Sequence, residues 1–216
     1  MIAKEASKKE SRIKIIKDLF KNRFFYISLI VFLIGFVAYL ISTMLVYQNF
    51  RNAPILNDLL FDALPFIPLP YLYNWLNSLS LIIFSFYVLM KKPKSIPYFL
   101  LLFGIFNIVR DFFIILTPFG NPSIFYNGNY SMLSERFEIL RFGVYPSGHT
   151  GTTFLAFLLT TDKKYKSILL VFVFLVAIFL LLARGHYSID IFSALIFAYA
   201  IYCFGEKYFK KHFVVK

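Results

Sequence analysis

The sequence predicts an all-α polytopic membrane protein with six transmembrane helices and both termini cytoplasmic. Three observations carry this reading. Of the 216 residues, 59% are apolar and 21% aromatic, while only 16% are charged, against roughly 25% charged in soluble domains. So much apolar surface cannot be hidden inside a soluble globule of this length, and the bilayer must act as solvent. Apolar runs of near-spanning length recur along the chain, and Lys and Arg crowd alternate connections between them. A soluble enzyme, a secreted disulfide scaffold and a disordered chain are thereby excluded. Cys203 is the single cysteine and has no internal disulfide partner.

The six spans fall at 24–46, 72–90, 97–118, 147–161, 167–183 and 187–205, each set by the length of an apolar run. The first is too long for a signal-peptide core and has no small-residue cleavage site after it, so it reads as a retained anchor. The fourth is short, and at about 1.5 Å per residue one of its ends must sit below the membrane surface. Ahead of the first span, residues 1–23 form a basic amphipathic segment in which Ile13, Ile16, Phe20 and Phe24 recur at helical spacing. Such a segment suits the anionic inner leaflet, or it is simply a frayed basic tail. Residues 24–205 make one membrane domain, and 206–216 form a basic cytoplasmic tail.

Orientation follows from the cations. Lys and Arg fill residues 1–23, the 91–94 and 163–166 connections and the tail, whereas Arg51, Arg136, Arg141 and Arg184 lie opposite and Arg110 lies within a span. The positive-inside rule then places both ends in the cytoplasm and turns connections 47–71 and 119–146 outward. The net charge of +12 is thus a topology signal, and nucleic acid is not an expected partner.

Ionisable groups at membrane depth are costly and call for a reason. They converge on the outward side. Span four opens with Pro146-Ser147-Gly148-His149-Thr150, span six with Arg184-Gly185-His186-Tyr187-Ser188-Ile189-Asp190, and span three carries Arg110 and Asp111 near its outer end. His186 and Asp190 are four apart and share a helical face. A carboxylate bonded to one imidazole nitrogen fixes the tautomer and leaves the other lone pair as a nucleophile. His149 lies in a first helical turn, where free backbone N–H groups of Ser147, Gly148 and Thr150 favour an anion, and a histidine there can protonate a leaving oxygen. Arg110 and Arg184 offer forked hydrogen bonds to phosphate oxygens. The constellation reads as phosphoryl transfer.

Each feature also has a plainer reading. His186 and Asp190 alone suit a structural cap of the last helix. Two His and one Asp make a minimal metal set. Arg110 alone equally suits the neutralisation of Asp190 or Asp111, and as neighbours Arg110 and Asp111 should point to different faces. A channel or transporter lined by these groups is the non-enzyme alternative, though polar residues confined to one side make a poor through-path.

These residues resemble a known family. Pro146-Ser147-Gly148-His149 and the later His186-x-x-x-Asp190 are similar to two signatures of the type 2 phosphatidic acid phosphatase superfamily. Ser147-Gly148-His149-Thr150 and His186-Tyr187-Ser188-Ile189-Asp190 resemble most its sphingomyelin synthase-related branch, with Pro68-Leu69-Pro70 and the Arg110…Leu116-Thr117-Pro118 stretch as weaker echoes. The chain lacks the Arg-Pro dipeptide of the phosphatase branch, has Leu180 six before His186 where that branch carries a clamping residue, and shows no acid in Phe142-Gly143-Val144-Tyr145-Pro146.

The resemblance implies a plasma-membrane enzyme with an extracytoplasmic His149/His186/Asp190 site and neither metal nor other cofactor. A phosphate-containing headgroup would pass from a phospholipid donor through a phosphohistidine-type intermediate. A lipid alcohol such as ceramide or diacylglycerol as acceptor gives a headgroup transferase. Water gives a lipid phosphatase or phospholipase C-type hydrolase. Whether Glu135 or Glu138, in the outer loop ahead of His149, enters the pocket is left open by the sequence.

Overall fold

The computed structural model describes residues 15, 17–50, 52–122 and 142–215. Among these residues the fold is helical, with no strand. Five helices are long and apolar enough to cross a membrane: α1 (Arg23–Phe50), α3 (Pro70–Lys91), α4 (Ile96–Leu116), α6 (Lys163–Leu182) and α7 (Ser188–Tyr208). Short helices α2 (Leu59–Ala63), α5 (Gly148–Leu159) and α8 (Lys210–Phe213) join them among the described residues, with a 3₁₀ turn at Pro93–Ser95.

The expected fourth span is α5, whose 12 residues reach only about 18 Å. It is not long enough to be counted with the other five. It sits instead in the middle of the bundle, touching α3, α4, α6 and α7. Thr150, Gly151, Thr153, Leu155, Ala156 and Leu159 are buried there. A helix walled in by others satisfies its ends with protein and has no need to reach both membrane surfaces. At Gly151 a Cβ would meet the Phe106 ring at 2.0 Å, so only glycine leaves room for that ring.

Helix α1 is apolar on nearly all sides, with Ile30, Leu33, Ile34, Val37 and Ile41 exposed, as suits a lipid-facing helix. Its buried residues are small or short, and most carry a hydroxyl: Ser28, Gly35, Ser42, Thr43 and Val46. The hydroxyls are satisfied within the helix, Ser28 donating to the Phe24 carbonyl at 2.7 Å and Thr43 to the Tyr39 carbonyl at 2.8 Å. Small residues let backbones approach where lipid supplies no hydrophobic drive. Gly35 and Gly104 mark the crossing with α4, and a Cβ on Gly104 would lie 2.8 Å from the Phe32 backbone.

The apolar core between α3, α4, α5 and α7 holds Phe84, Tyr87, Tyr98, Leu102, Phe106 and Leu155. Helix α6 starts earlier than hydropathy suggested because Asp162 caps it, accepting from Lys164 N at 3.1 Å and Tyr165 N at 3.4 Å. Lysines 163, 164 and 166 are therefore helical.

The connections gather at two ends. At one end, Lys91 pairs with Asp162 at 3.0 Å, Val215 N donates to the Lys94 carbonyl at 2.9 Å and Phe24 packs edge-on against Phe213. The basic stretches foreseen for one side thus share one end of the bundle. At the other end, the Tyr187 hydroxyl donates to the Gly120 carbonyl at 2.8 Å and accepts from Leu56 N at 3.1 Å. Most of the expected amphipathic segment 1–23, and Arg51, Arg136, Arg141, Glu135 and Glu138, lie outside the described residues.

Candidate active site

Two helix starts bring the site together. Ser147 is the N-cap of α5, its hydroxyl accepting from Thr150 N at 3.3 Å. Tyr187 is the N-cap of α7, and its N–H donates to Asp190 Oδ2 at 3.0 Å. The two starts are joined directly, because Ser147 N donates to the Asp190 backbone carbonyl at 3.0 Å. Residues 147–150 and 186–190, distant in sequence, therefore form one unit.

Within it the imidazoles of His149 and His186 face each other at 66°, with ring centroids 5.7 Å apart. His186 Nδ1 lies 3.1 Å from Asp190 Oδ2. The carboxylate makes Nδ1 the protonated nitrogen and leaves the Nε2 lone pair outward. Asp190 is fully buried, and its Oδ1 has no hydrogen-bond partner among the described residues.

His149 is held from the other side. Its Nε2 lies 2.7 Å from Asn74 Oδ1 on α3, so an N–H there donates to the carboxamide. Nδ1 is buried without a hydrogen-bond partner among the described residues. Asn77, one turn further on, donates to the His149 carbonyl at 3.1 Å and to the hydroxyls of Thr152 at 3.1 Å and Thr153 at 2.9 Å. The Tyr73 ring stands edge-on to His149 at 5.4 Å.

The two arginines do not play equivalent parts. Arg110 reaches the start of α5: a Cβ on Gly148 would lie 3.0 Å from its Nε. Nε donates to the Pro146 carbonyl at 2.9 Å, and Nη2 to that of Gly143 at 2.7 Å, while the Tyr39 ring lies beneath at 4.7 Å. It therefore pins the segment that leads to His149. Neighbours in a helix were expected to diverge, yet Nη1 folds back to 3.6 Å from Asp111 Oδ1; the long side chain spans the angle between the two faces.

Arg184, expected at the phosphate, reaches backbone instead. It donates to the carbonyls of Phe61 and of Leu64 (the latter at 2.8 Å) and lies 4.4 Å over the Phe61 ring. Its φ of 54° is the left-handed turn that ends α6, a place where glycine is usual. Ser147 and Thr150 are fully buried and hydrogen-bonded to one another at 3.3 Å, so their hydroxyls serve the cap.

Asn74, Asn77 and Asp58 were not foreseen. Asn74, Asn77 and Ser80 recur three apart in an apolar run, and polar residues at membrane depth were the signal that marked the histidines. Asp58 Oδ2 accepts from Ser188 N at the start of α7, while its Oδ1 accepts from Leu60 N at 2.9 Å. Nothing in its loop sequence announces that reach of 130 residues.

Residues 145–207 match the family model described as PAP2 superfamily C-terminal. The match supports the PAP2 superfamily. It spans both histidines, Asp190 and the whole of α5, α6 and most of α7. No curated protein matches the chain. The PAP2 match and the apolar helices together support an integral membrane protein with phosphatase- or phosphotransferase-type activity on lipid phosphates.

Proposed function

We propose that the chain is a membrane lipid phosphotransferase that moves a phosphate-containing headgroup from a phospholipid to a lipid alcohol. The observation that carries the proposal is the facing pair of imidazoles, 5.7 Å apart with one ring steadied by Asp190. A phosphorus atom between two such rings can be attacked by one and have its leaving group protonated by the other.

In the first half-reaction His186 Nε2 attacks phosphorus, the bond from phosphorus to the donor's alcohol oxygen breaks, and His149 Nδ1–H gives its proton to that oxygen. Asp190 stabilises the charge that grows on the His186 ring. In the second half, His149 takes the proton from the acceptor hydroxyl, the new oxygen–phosphorus bond forms and the nitrogen–phosphorus bond breaks. His186 is neutral again and His149 is recharged. Asn74 holds His149 by Nε2, so Nδ1 carries the proton.

Arg110 acts by holding residues 143–146 in place, and the N–H groups of Gly148 and His149, first in α5, receive the phosphate oxygens; those of Ser147 and Thr150, also expected there, are engaged by the Asp190 carbonyl and the Ser147 hydroxyl. The site opens outside the cytoplasm and both chain ends lie within it, since the basic connections gather at the opposite end of the bundle. A lipid acceptor is favoured over water because His186 and Asp190 are buried among apolar helices, and burial of a reacting centre limits the entry of water.

The test is direct. Purified protein in mixed vesicles of phosphatidylcholine with labelled ceramide or labelled diacylglycerol is expected to yield a labelled phosphate-bearing lipid. Release of free headgroup or phosphate without such a product would convert the reading to hydrolysis.

A further inference from the structure

At the end of the bundle away from the histidines, the start of α1 and residues 211–215 border an open cavity of about 460 Å³. Lys21, Arg23, Lys211 and His212 line it together with Asn22 and Phe24. Its remaining wall, Val214 and Val215, is apolar.

Among the described residues these cations make no ion pair with an acid. Glu206 is taken by Lys210 at 2.6 Å and by the Tyr98 hydroxyl at 3.0 Å, and Asp162 by Lys91 at 3.0 Å. Asp18 lends its backbone carbonyl to Lys21 N at 3.2 Å, but makes no ion pair with any of the four. The walls are fixed from both sides: the Phe24 and Phe213 rings meet edge-on at 4.9 Å, Asn22 Oδ1 accepts from Phe24 N at 2.8 Å, and Val215 N is tied to the Lys94 carbonyl at 2.9 Å. Like charges so gathered repel unless an anion neutralises them.

We propose that this cavity binds a phosphate-bearing anion, supplied by the headgroup of an anionic phospholipid in the leaflet at which these chain ends lie. The cations take the phosphate, and the Phe24 and Val214–Val215 wall takes the start of the acyl region. The lipid links the first helix to the last and so clamps the bundle shut at this end. This site is separate from the histidine pair and stands whether or not the reaction proposed above is correct.

The experiment uses the full chain in nanodiscs of phosphatidylcholine containing a minority of phosphatidylglycerol, with retained lipid counted by native mass spectrometry after detergent release. The protein is expected to retain phosphatidylglycerol. The triple variant Lys21→Ala/Arg23→Ala/Lys211→Ala is expected to lose it, by about fivefold for each cation removed. Lys163→Ala/Lys164→Ala/Lys166→Ala, at the same end but outside the cavity, is expected to retain it. Equal loss in both triples would mean diffuse surface charge and overturn the proposal. Displacement of the lipid by millimolar inorganic phosphate would assign the site to free phosphate and overturn its lipid source. Should the first triple fail to fold, the single exposed reversal Lys211→Glu gives the same discrimination.

Discussion

At the scale of single residues, each ring of the proposed histidine pair is held by a different kind of partner. Asp190 gives His186 a carboxylate, which favours a charged ring during attack; Asn74 gives His149 a neutral carboxamide, which fixes orientation without storing charge. His186→Ala and His149→Ala are each expected to lower turnover at least 10²-fold, by the usual size of acid–base terms, with the proteins still eluting as folded species. The rate is expected to be bell-shaped in pH, falling on the acid side as His186 gains a proton and on the alkaline side as His149 loses one. Asn74→Asp sets a carboxylate against His149 Nε2–H. It raises the affinity of that ring for its proton, and the alkaline limb should move to higher pH while the acid limb stays. Arg184→Gly tests the other assignment. If the guanidinium serves the Phe61 and Leu64 carbonyls, the variant melts lower, since charge-assisted bonds of roughly 1.5–3 kcal/mol outweigh about 1 kcal/mol of relieved left-handed strain. KM would be unchanged. A raised KM at unaltered stability would return Arg184 to the phosphate.

At the scale of elements, glycine decides two contacts. Gly104→Ala drives a methyl group into the Phe32 backbone and should cost about 1–3 kcal/mol, the usual range for overpacking. Thermal unfolding in detergent measures it. Gly151→Ala is expected to cost as much by striking Phe106, and Phe106→Leu in the same chain should restore part of the loss, because the two residues share one space. The capped start of α6 carries a pH signature. The hydrogen bond from Lys91 and the backbone N–H groups of Tyr165 and Lys164 hold the Asp162 carboxyl below its usual range. A carboxyl depressed on folding stabilises the fold above its unfolded pKa, near 3.9, and that contribution is lost as pH falls further through the folded value. Asp162→Asn should therefore flatten the dependence of melting temperature on pH below about 4 and leave it unaltered near neutrality.

At the scale of the molecule, the bundle has a basic end and a histidine end, and α5 hangs between the long helices from the latter. Single cysteines placed at Asn57 and at Lys164 in a Cys203→Ser background are expected to react with impermeant thiol reagents from opposite sides of sealed vesicles. Labelling from the same side would refute the orientation. Chelators are expected to leave activity intact, because the proposed nucleophile is a nitrogen and the proton carrier a second nitrogen; activity lost on chelation and restored by one divalent ion would replace this scheme with a metal-assisted one.

The sequence by itself determined the solvent, the approximate ends of the helices and the two clusters of polar residues, because apolar length, cation placement and the expense of a charge in hydrocarbon are properties of short segments. His149, His186 and Asp190 stood out as candidates for that reason, and the structure brings the three together. Only the tertiary structure decided what each side chain meets. Arg110 and Arg184 read alike in sequence, but one pins the approach to His149 and the other staples α2. Asn74 and Asp58 acquire their partners from segments far along the chain. A guanidinium or a carboxamide bonds to whatever oxygen or nitrogen packing brings within about 3 Å, and which one that is depends on helices meeting across the bundle, a relation no local pattern encodes.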